Sequence, residues 1–194
     1  MNTTRQALMD SFLALSAQKG LEGPSISELA ASAKISKPSF YSHFPSRDAL
    51  RQASIDQALR ALDARDLKIK LTPQDPQQNL FDCFNLFWDM FSSTRTSLLY
   101  RIIRGQRWVD SQAHLLNRRI ESMAFSQAEV VLEYLDQRER LHIKDLDAAS
   151  HLLGLAILDL LDRIQEEGVL DKSSEDSFFS EAESFIERFC ILLG

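Results

Sequence analysis

Apolar residues recur at helical spacing along most of this chain, and no stretch alternates long enough to predict a sheet. A first helix is predicted at residues 4–19, ended by Gly20, and two short helices lie within residues 25–44. Longer helices are predicted near residues 46–68, 76–92, 95–104, 111–137, 145–167 and 174–193. Two prolines mark residues 71–77 as a linker, and Gly168 is placed to end the eighth helix. The pattern predicts an all-α fold of about nine helices.

Residues 25–50 have the most specific pattern. Ser25 stands three residues before Glu28, which is the spacing of a capping box at the start of a helix. Ser36 can cap a second helix, whose first turn holds Pro38, where a missing N–H costs nothing. Ser46 can cap the helix that follows.

The second short helix has two faces of different character. Phe40 and Phe44 are four residues apart and can anchor it inward. The outer face is small and polar, and consists of Lys37, Ser39, Tyr41, Ser42 and His43. Such a face suits insertion into the major groove of DNA.

Together with the start of the chain, this segment resembles the helix-turn-helix domain of TetR/AcrR-type transcriptional regulators. The matching features are Thr4-Arg5-Gln6-Ala7-Leu8, Phe12, Gly20, Tyr41, His43-Phe44 and Ser46-Arg47. The resemblance implies an N-terminal three-helix DNA-binding domain at residues 1–52. It also implies a C-terminal helical domain for ligand binding and dimerisation at residues 53–194. The implied function is that of a ligand-responsive repressor, a homodimer that a small molecule releases from a palindromic operator.

The predicted DNA-binding residues combine helix starts with the outer face of the second short helix. Lys37 is expected at a guanine O6/N7, Tyr41 and His43 at the backbone, and Arg47 at a phosphate. Capping in any fold would also explain the three serines, and Tyr41 and His43 could be ordinary packing or surface residues. The predicted set is Thr4, Ser25, Ser36, Lys37, Pro38, Ser39, Tyr41, His43, Ser46 and Arg47.

The fifth predicted helix carries an aromatic stripe that includes Phe81, Phe84, Trp88 and Phe91. A stripe at this spacing is typical of packed core, and it is equally suited to the wall of a pocket for a small apolar or aromatic effector. Nearby arginines could bind a carboxylate or phosphate of that effector, or could simply lie at the surface. The predicted effector residues are Phe84, Phe87, Trp88, Phe91, Tyr100, Arg101, Arg104 and Trp108.

The last two predicted helices, near 145–167 and 174–193, are amphipathic. The resemblance implies that they form the homodimer interface as a four-helix bundle with the second copy. Packing within one subunit is the alternative.

Composition narrows the class of protein further. The net charge is −6, but residues 1–60 hold seven Lys/Arg against five Asp/Glu, which leaves −8 on the remainder. A mildly basic N-terminal part on an acidic body fits DNA contact through one face only. No segment predicts a membrane span or a signal peptide, and the two cysteines lack metal spacing, so we expect a cytoplasmic protein with reduced thiols.

The sequence contains no motif that predicts a cofactor, a bound metal or enzymatic activity. Two alternatives to the repressor stay open. One is a DNA-binding regulator or activator without a small-molecule effector, and the other is a protein-binding helical bundle that no longer binds DNA.

Overall fold

The computed structural model describes residues 3–63, 69–72, 75–166 and 170–193, and every regular element within these ranges is an α-helix. In chain order the helices are α1 (Thr3–Lys19), α2 (Ile26–Ser32), α3 (Lys37–Tyr41), α4 (Arg47–Asp63), α5 (Pro76–Phe91), α6 (Thr94–Gln106), α7 (Ser111–Asp136), α8 (Leu146–Glu166) and α9 (Lys172–Leu193). The all-α prediction is confirmed. The predicted end of the fourth helix at residues 64–68, part of the predicted linker at 73–74, and Gly168 lie outside the described residues.

The chain folds into two compact units. Unit 1 consists of residues 1–65 and 93–115, and unit 2 consists of residues 66–92 and 116–194. Unit 1 thus combines α1 to α4 with α6, because α6 packs on both α1 and α4. The division into domains predicted between residues 52 and 53 stays a prediction.

The core of unit 1 is built from α1, which packs on α2, α4 and α6. Its fully buried side chains come from each of the helices α1 to α4. They include Leu8, Phe12, Leu29, Phe40 and Leu50, all at 0 % exposure. Burying a side chain of this size contributes about 1.5–3 kcal/mol, so even the short α2 and α3 are fixed by the core that they cover.

Unit 2 is built from α5, α8 and α9, which pack on one another, together with most of α7. Asp75 caps α5 by accepting a hydrogen bond from the Gln78 N–H at 3.0 Å. Gly154 of α8 lies so close to α7 that a Cβ atom there would meet Phe125 Cδ1 at 2.4 Å. A glycine is therefore required for the approach of these two helices. Within the described ranges, no helix is both long and apolar enough to cross a membrane.

Candidate nucleic-acid interface

The predicted capping box at the start of α2 is confirmed. The Ser25 N–H donates to Glu28 Oε2 at 2.9 Å, and the Glu28 N–H donates to Ser25 Oγ at 3.3 Å. Lys19 from the end of α1 binds the same carboxylate through Oε1. The Lys19 hydrogen bond and the bonds from Ser25 lower the pKa of Glu28 from 4.5 to about 2. The start of α2 is therefore held by a charged side chain and by its own cap.

The turn between α2 and α3 closes on a residue with left-handed backbone. Lys34 has φ 56°, its N–H donates to the Ala31 carbonyl at 3.0 Å, and the Ile35 N–H donates to the Ala30 carbonyl at 2.9 Å. This pair of bonds is a Schellman motif, which usually has glycine where Lys34 stands. The turn fixes the angle at which the chain enters α3.

The start of α3 is capped as predicted. Ser36 Oγ accepts a hydrogen bond from the Ser39 N–H at 3.3 Å, and Pro38 lies in the first turn. Phe40 is 0 % exposed and Phe44 is 1 % exposed, so the predicted inner face is buried. Helix α3 is thus oriented with one face on the core of unit 1 and the other in solvent.

The outer face of α3 carries polar side chains that differ in their exposure to solvent. Lys37 and Pro38 are exposed, whereas Ser39 and His43 are half-buried. Tyr41 is 50 % exposed, and its ring makes an edge contact with Phe40 at 5.5 Å between centroids. Tyr41 is therefore both a packing residue and a surface residue, which combines the two roles considered from the sequence.

Arg5, which the predicted site did not include, contacts the far end of the same segment. Its Nη1 donates to the His43 carbonyl at 2.6 Å, and its Cζ lies 4.0 Å from the centroid of the Phe44 ring. The two partners are 38 residues apart in sequence. No local pattern could have revealed this contact.

Ser46 and Arg47 lie at the start of α4, where the carboxylate of Glu22 pairs with Arg47. Ser46 Oγ accepts a hydrogen bond from the Ala49 N–H at 3.1 Å, which makes it the predicted cap. Arg47 Nη1 donates to the Glu22 carbonyl at 2.8 Å, and its Nη2 pairs with the Glu22 carboxylate. The charge of Arg47, predicted to meet a phosphate, is thus directed at the loop between α1 and α2.

Arg51 extends this arrangement of charges. It pairs with Glu22 and, through Nη2, with Asp110 Oδ2 at 2.8 Å. Burial by itself raises the pKa of Asp110, but hydrogen bonds from the Ala113 N–H and from Arg51 outweigh it and lower this pKa below 3.8. The first turns of α4 are therefore tied both to the loop before α2 and to the start of α7.

Thr4 was predicted to be the first residue of its helix, but α1 begins one residue earlier at Thr3, and Thr4 is a half-buried residue of its first turn. The difference is one residue, which is within the ordinary uncertainty of a helix boundary. Ser25, Ser36 and Ser46 each precede their helix, as the sequence indicated.

The predicted effector residues divide between the two units. Phe84, Phe87 and Phe91 of α5 belong to unit 2 and are 0 % exposed, and Trp88 is 7 % exposed. Phe84 lies 6.3 Å from Phe178 and 5.9 Å from Phe185, measured between ring centroids. The stripe of α5 therefore packs against aromatic side chains of α9.

The other effector residues lie in unit 1. Tyr100 is buried, and Arg101 and Arg104 are half-buried on α6. Trp108 is 79 % exposed and lies beyond the end of α6 at Gln106, so it is not on the helix that carries Arg101 and Arg104. It borders an open groove of about 480 Å³, lined by Arg107, Trp108, Val109, Asp110, Ser111, His114 and Leu115.

Comparison with known proteins matches the part of the chain that contains the candidate interface. Residues 8–53 match the family model described as bacterial regulatory proteins, tetR family. Over 70 residues the chain is 34 % identical to the HTH-type transcriptional regulator EthR of Mycolicibacterium smegmatis, a stretch that covers 36 % of this chain and 32 % of that protein. The alignment thus spans about a third of the length of this relative.

Solved structures match over nearly the full chain. A TetR transcriptional regulator from Agrobacterium tumefaciens superimposes with a TM-score of 0.66 at 23 % identity, covering 98 % of this chain and 94 % of that one. A TetR transcription regulator from Haloarcula marismortui gives a TM-score of 0.65 at 13 % identity, with 100 % and 99 % covered. At these identities the likeness establishes the fold, which includes the N-terminal helix-turn-helix.

Proposed function

We propose that this chain, whose residues 8–53 match the tetR family of bacterial regulatory proteins, is a TetR-family regulator. In this proposal it is a cytoplasmic, non-enzymatic repressor that reads DNA through α3. The observation that supports this most strongly is the outer face of α3. It presents Lys37 and Tyr41 to solvent while Phe40 and Phe44 fix the helix to the core. Such a helix, capped at its start and buried on its inner face, has the form of a recognition helix for the major groove.

The chemistry of the exposed groups suits both kinds of DNA contact. The Lys37 ammonium can donate to guanine O6 and N7, which carries sequence information. The Tyr41 hydroxyl and the Ser39 hydroxyl can donate to phosphate oxygens or to base edges, which fixes the register. The start of α4, by contrast, has its Arg47 paired with Glu22, so α3 is the main source of contacts in this proposal.

We propose that the regulator acts as a homodimer through α8 and α9. Both helices leave large apolar side chains in solvent: Leu152 and Leu155 of α8 are 50 % and 53 % exposed, and Ile191 and Leu192 of α9 are 82 % and 72 % exposed. A two-fold interface over these side chains would remove them from water. The two copies of α3 would then read half-sites of a palindromic operator about 34 Å apart.

Release by a small apolar or aromatic effector is the finer part of the proposal. Its candidate residues are the aromatic side chains of α5, which the resemblance to the family favours. Their full burial against Phe178 and Phe185 favours the alternative, a regulator without an effector. A thermal-shift screen with small apolar and aromatic compounds separates the two, because an effector raises the melting temperature by an amount that grows with the logarithm of its concentration above Kd.

The test of DNA reading begins with a duplex that the protein itself selects. The wild-type chain would enrich 30-bp duplexes from a randomised pool, and the enriched duplex would serve as the operator probe. Lys37→Ala and Tyr41→Phe are expected to weaken binding to it. If Lys37 instead contacts a phosphate, its removal lowers the salt slope of binding by about 0.9.

Lys144→Ala is the matched control, since Lys144 is an exposed lysine of unit 2. It should bind the operator probe like the wild type. The proposal is wrong if the wild type enriches no duplex. The assignment of α3 is wrong if Lys37→Ala and Tyr41→Phe both bind with unchanged affinity and slope.

The dimer is tested by Leu155→Asp, measured by sedimentation. A charge in the proposed interface should convert the dimer to a monomer. Val130→Asp is the control, because Val130 is 52 % exposed on α7, outside the proposed interface. A wild type that sediments as a monomer at micromolar concentration would contradict this part of the proposal.

A further inference from the structure

We propose that Arg5 is a positioning residue: it fixes the orientation of α3 and so determines how selectively the protein reads DNA, and this rests on the proposed function. The geometry that carries the proposal is the pair of contacts that Arg5 makes just beyond α3, with the His43 carbonyl and with the Phe44 ring. Arg5 belongs to α1, so these contacts connect the first helix of the chain to the end of the reading segment.

Helix α3 cannot hold its orientation by itself. It has five residues, and Phe40 is the buried residue within it. A helix of this length is unstable in isolation, so its direction depends on what holds its two ends. At the start, the Schellman turn at Lys34 and the cap at Ser36 connect it to α2.

The other end of α3 requires a separate constraint, because the chain leaves the helix at Ser42. The N–H groups of His43 and Phe44 both donate to the Phe40 carbonyl, at 3.0 Å each, which closes the last turn. The His43 carbonyl accepts the charged hydrogen bond from Arg5 at 2.6 Å. A bond from a charged donor is shorter and stronger than one between neutral groups, so this contact is well suited to fix the segment.

The second contact uses the flat face of the guanidinium group. Its Cζ lies 4.0 Å from the centroid of the Phe44 ring, and that ring is 1 % exposed. Arginine can stack on a ring and donate a directed hydrogen bond at the same time, because its donors lie in the plane of the group. A lysine ammonium carries the same charge but has no planar face, so it cannot make both contacts together.

This difference between arginine and lysine separates positioning from simple charge. If Arg5 orients α3, Arg5→Lys should impair the fit of Lys37 and Tyr41 to the bases while keeping the positive charge near DNA. Binding to non-specific DNA depends mainly on charge, so it should be preserved. Specific binding depends on the placement of side chains at base edges, so it should be lost in part.

The experiment compares two duplexes of equal length: the one enriched from a random pool by the wild-type chain, and a scrambled version of it. For Arg5→Lys we expect affinity for the enriched duplex to fall about tenfold, which is the scale of one mismatched base contact. Affinity for the scrambled duplex and the salt slope on both duplexes should stay unchanged. Binding is measured at a temperature where circular dichroism shows each variant to be folded.

Two further variants complete the test. Arg60→Lys makes the same substitution in the last turn of α4 and should leave both affinities as in the wild type. Arg5→Gln removes the charge together with both contacts. It should lower affinity for the enriched duplex at least as much as Arg5→Lys does.

Two outcomes would overturn the inference while the proposed function stands. In the first, Arg5→Lys binds the enriched duplex like the wild type. In the second, Arg5→Gln weakens both duplexes equally and lowers the salt slope by about 0.9, which identifies Arg5 as a direct phosphate contact. A wild-type chain that enriches no duplex overturns the proposed function itself, and this inference with it.

Discussion

In unit 1 the helices are tied to one another by charged and polar side chains, whereas in unit 2 helices α5 and α9 are joined by a layer of aromatic rings. Arg95 of α6 donates to Asp10 of α1 at 2.8 Å, and Arg51 of α4 pairs with Asp110 at the same distance. Gln57 of α4 exchanges two hydrogen bonds with Gln6 of α1, at 2.9 and 3.1 Å. Each tie is directional, because it depends on the placement of a donor and an acceptor.

The aromatic layer of unit 2 consists of Phe81, Phe84, Trp88, Phe178, Phe179 and Phe185. Ring centroids are 5.1 Å apart for Phe81 and Phe179, and also for Trp88 and Phe178. Such contacts depend chiefly on buried area and tolerate several ring geometries. Unit 1 thus adds to its apolar core the directional contacts that fix the angles of short helices, and in unit 2 the aromatic layer joins α5 to α9.

From this difference between the two units, we expect the largest loss of stability from a substitution in the aromatic layer of unit 2. Phe178 is 0 % exposed and contacts both Phe84 and Trp88. Phe178→Ala should reduce the free energy of unfolding by about 3–5 kcal/mol, from the lost transfer energy and the cavity left behind. Urea unfolding followed by circular dichroism measures this change.

Phe178→Leu is the control for this prediction. It keeps an apolar side chain in the layer and should lose clearly less stability than Phe178→Ala. A loss below about 1 kcal/mol for Phe178→Ala would fall in the range of substitutions away from the core. It would show that the aromatic layer is not the main source of stability in unit 2.

A smaller effect, equal in both units, is expected at the two helix ends with left-handed backbone. Lys34 after α2 and Glu139 after α7 both have φ 56°, and each closes a Schellman motif. Glycine adopts this conformation without steric cost, whereas another residue pays about 1–2 kcal/mol there. The greater entropy of glycine in the unfolded chain offsets part of this gain. Lys34→Gly and Glu139→Gly should therefore each add about 0.5–1 kcal/mol to the free energy of unfolding.

The two glycine variants sharpen the comparison because they differ in their consequence for DNA. Lys34→Gly keeps the turn before α3, so it should preserve the preference for the enriched duplex over the scrambled one. Glu139→Gly lies in unit 2 and should leave all DNA affinities unchanged. Destabilisation by both substitutions would contradict the strain assigned to these positions.

The smallest effect is expected from an exposed ion pair of unit 1. The pKa of Glu28 is lowered from 4.5 to about 2, chiefly by the Lys19 hydrogen bond and also by Ser25. A carboxyl whose pKa is lower in the folded state stabilises the fold above its unfolded pKa. This contribution is therefore complete above about pH 4.5 and is lost as the pH falls to about 2.

Glu28→Gln keeps an acceptor for the cap but removes the charge that Lys19 binds. Its melting temperature should be below that of the wild type at pH 7, and the difference should shrink between pH 4.5 and pH 2. A difference that stays constant over this range would show that the charge of Glu28 does not contribute to stability.

The sequence predicted features that depend on residues close together in the chain. The capping serines Ser25, Ser36 and Ser46 each accept a hydrogen bond from the N–H three residues further on. The buried side of α3 follows from the spacing of Phe40 and Phe44. These interactions form within one helical turn, so the local pattern determines them.

Contacts between distant parts of the chain could not be predicted in this way. Arg5 and His43 are 38 residues apart, Glu22 and Arg47 are 25 apart, and Arg51 and Asp110 are 59 apart. A charged residue in a sequence can face solvent, DNA or a distant partner, and only the packing of α1, α4 and α6 decides among these. For this reason the sequence predicted a phosphate contact for Arg47 and did not reveal its ion pair with Glu22.

The aromatic stripe of α5 shows the same limit. Periodicity correctly placed Phe84, Trp88 and Phe91 on a helix that buries them. It could not specify what covers them, because packed core and pocket wall require the same spacing. The answer depends on Phe178 and Phe185, which lie about 90 or more residues further along the chain.

The most direct test of the central claim is a cross-link between α3 and a base. Ser39→Cys, combined with Cys190→Ser, places a thiol on the outer half of α3, while the other native thiol, Cys83, is buried. We predict that it forms a disulfide with a thiol-tethered cytosine in the major groove of the enriched duplex. Ser173→Cys, exposed at the start of α9, should form none. Equal yields from both positions, or no cross-link from Ser39→Cys at any base of the duplex, would contradict the placement of α3 in the groove.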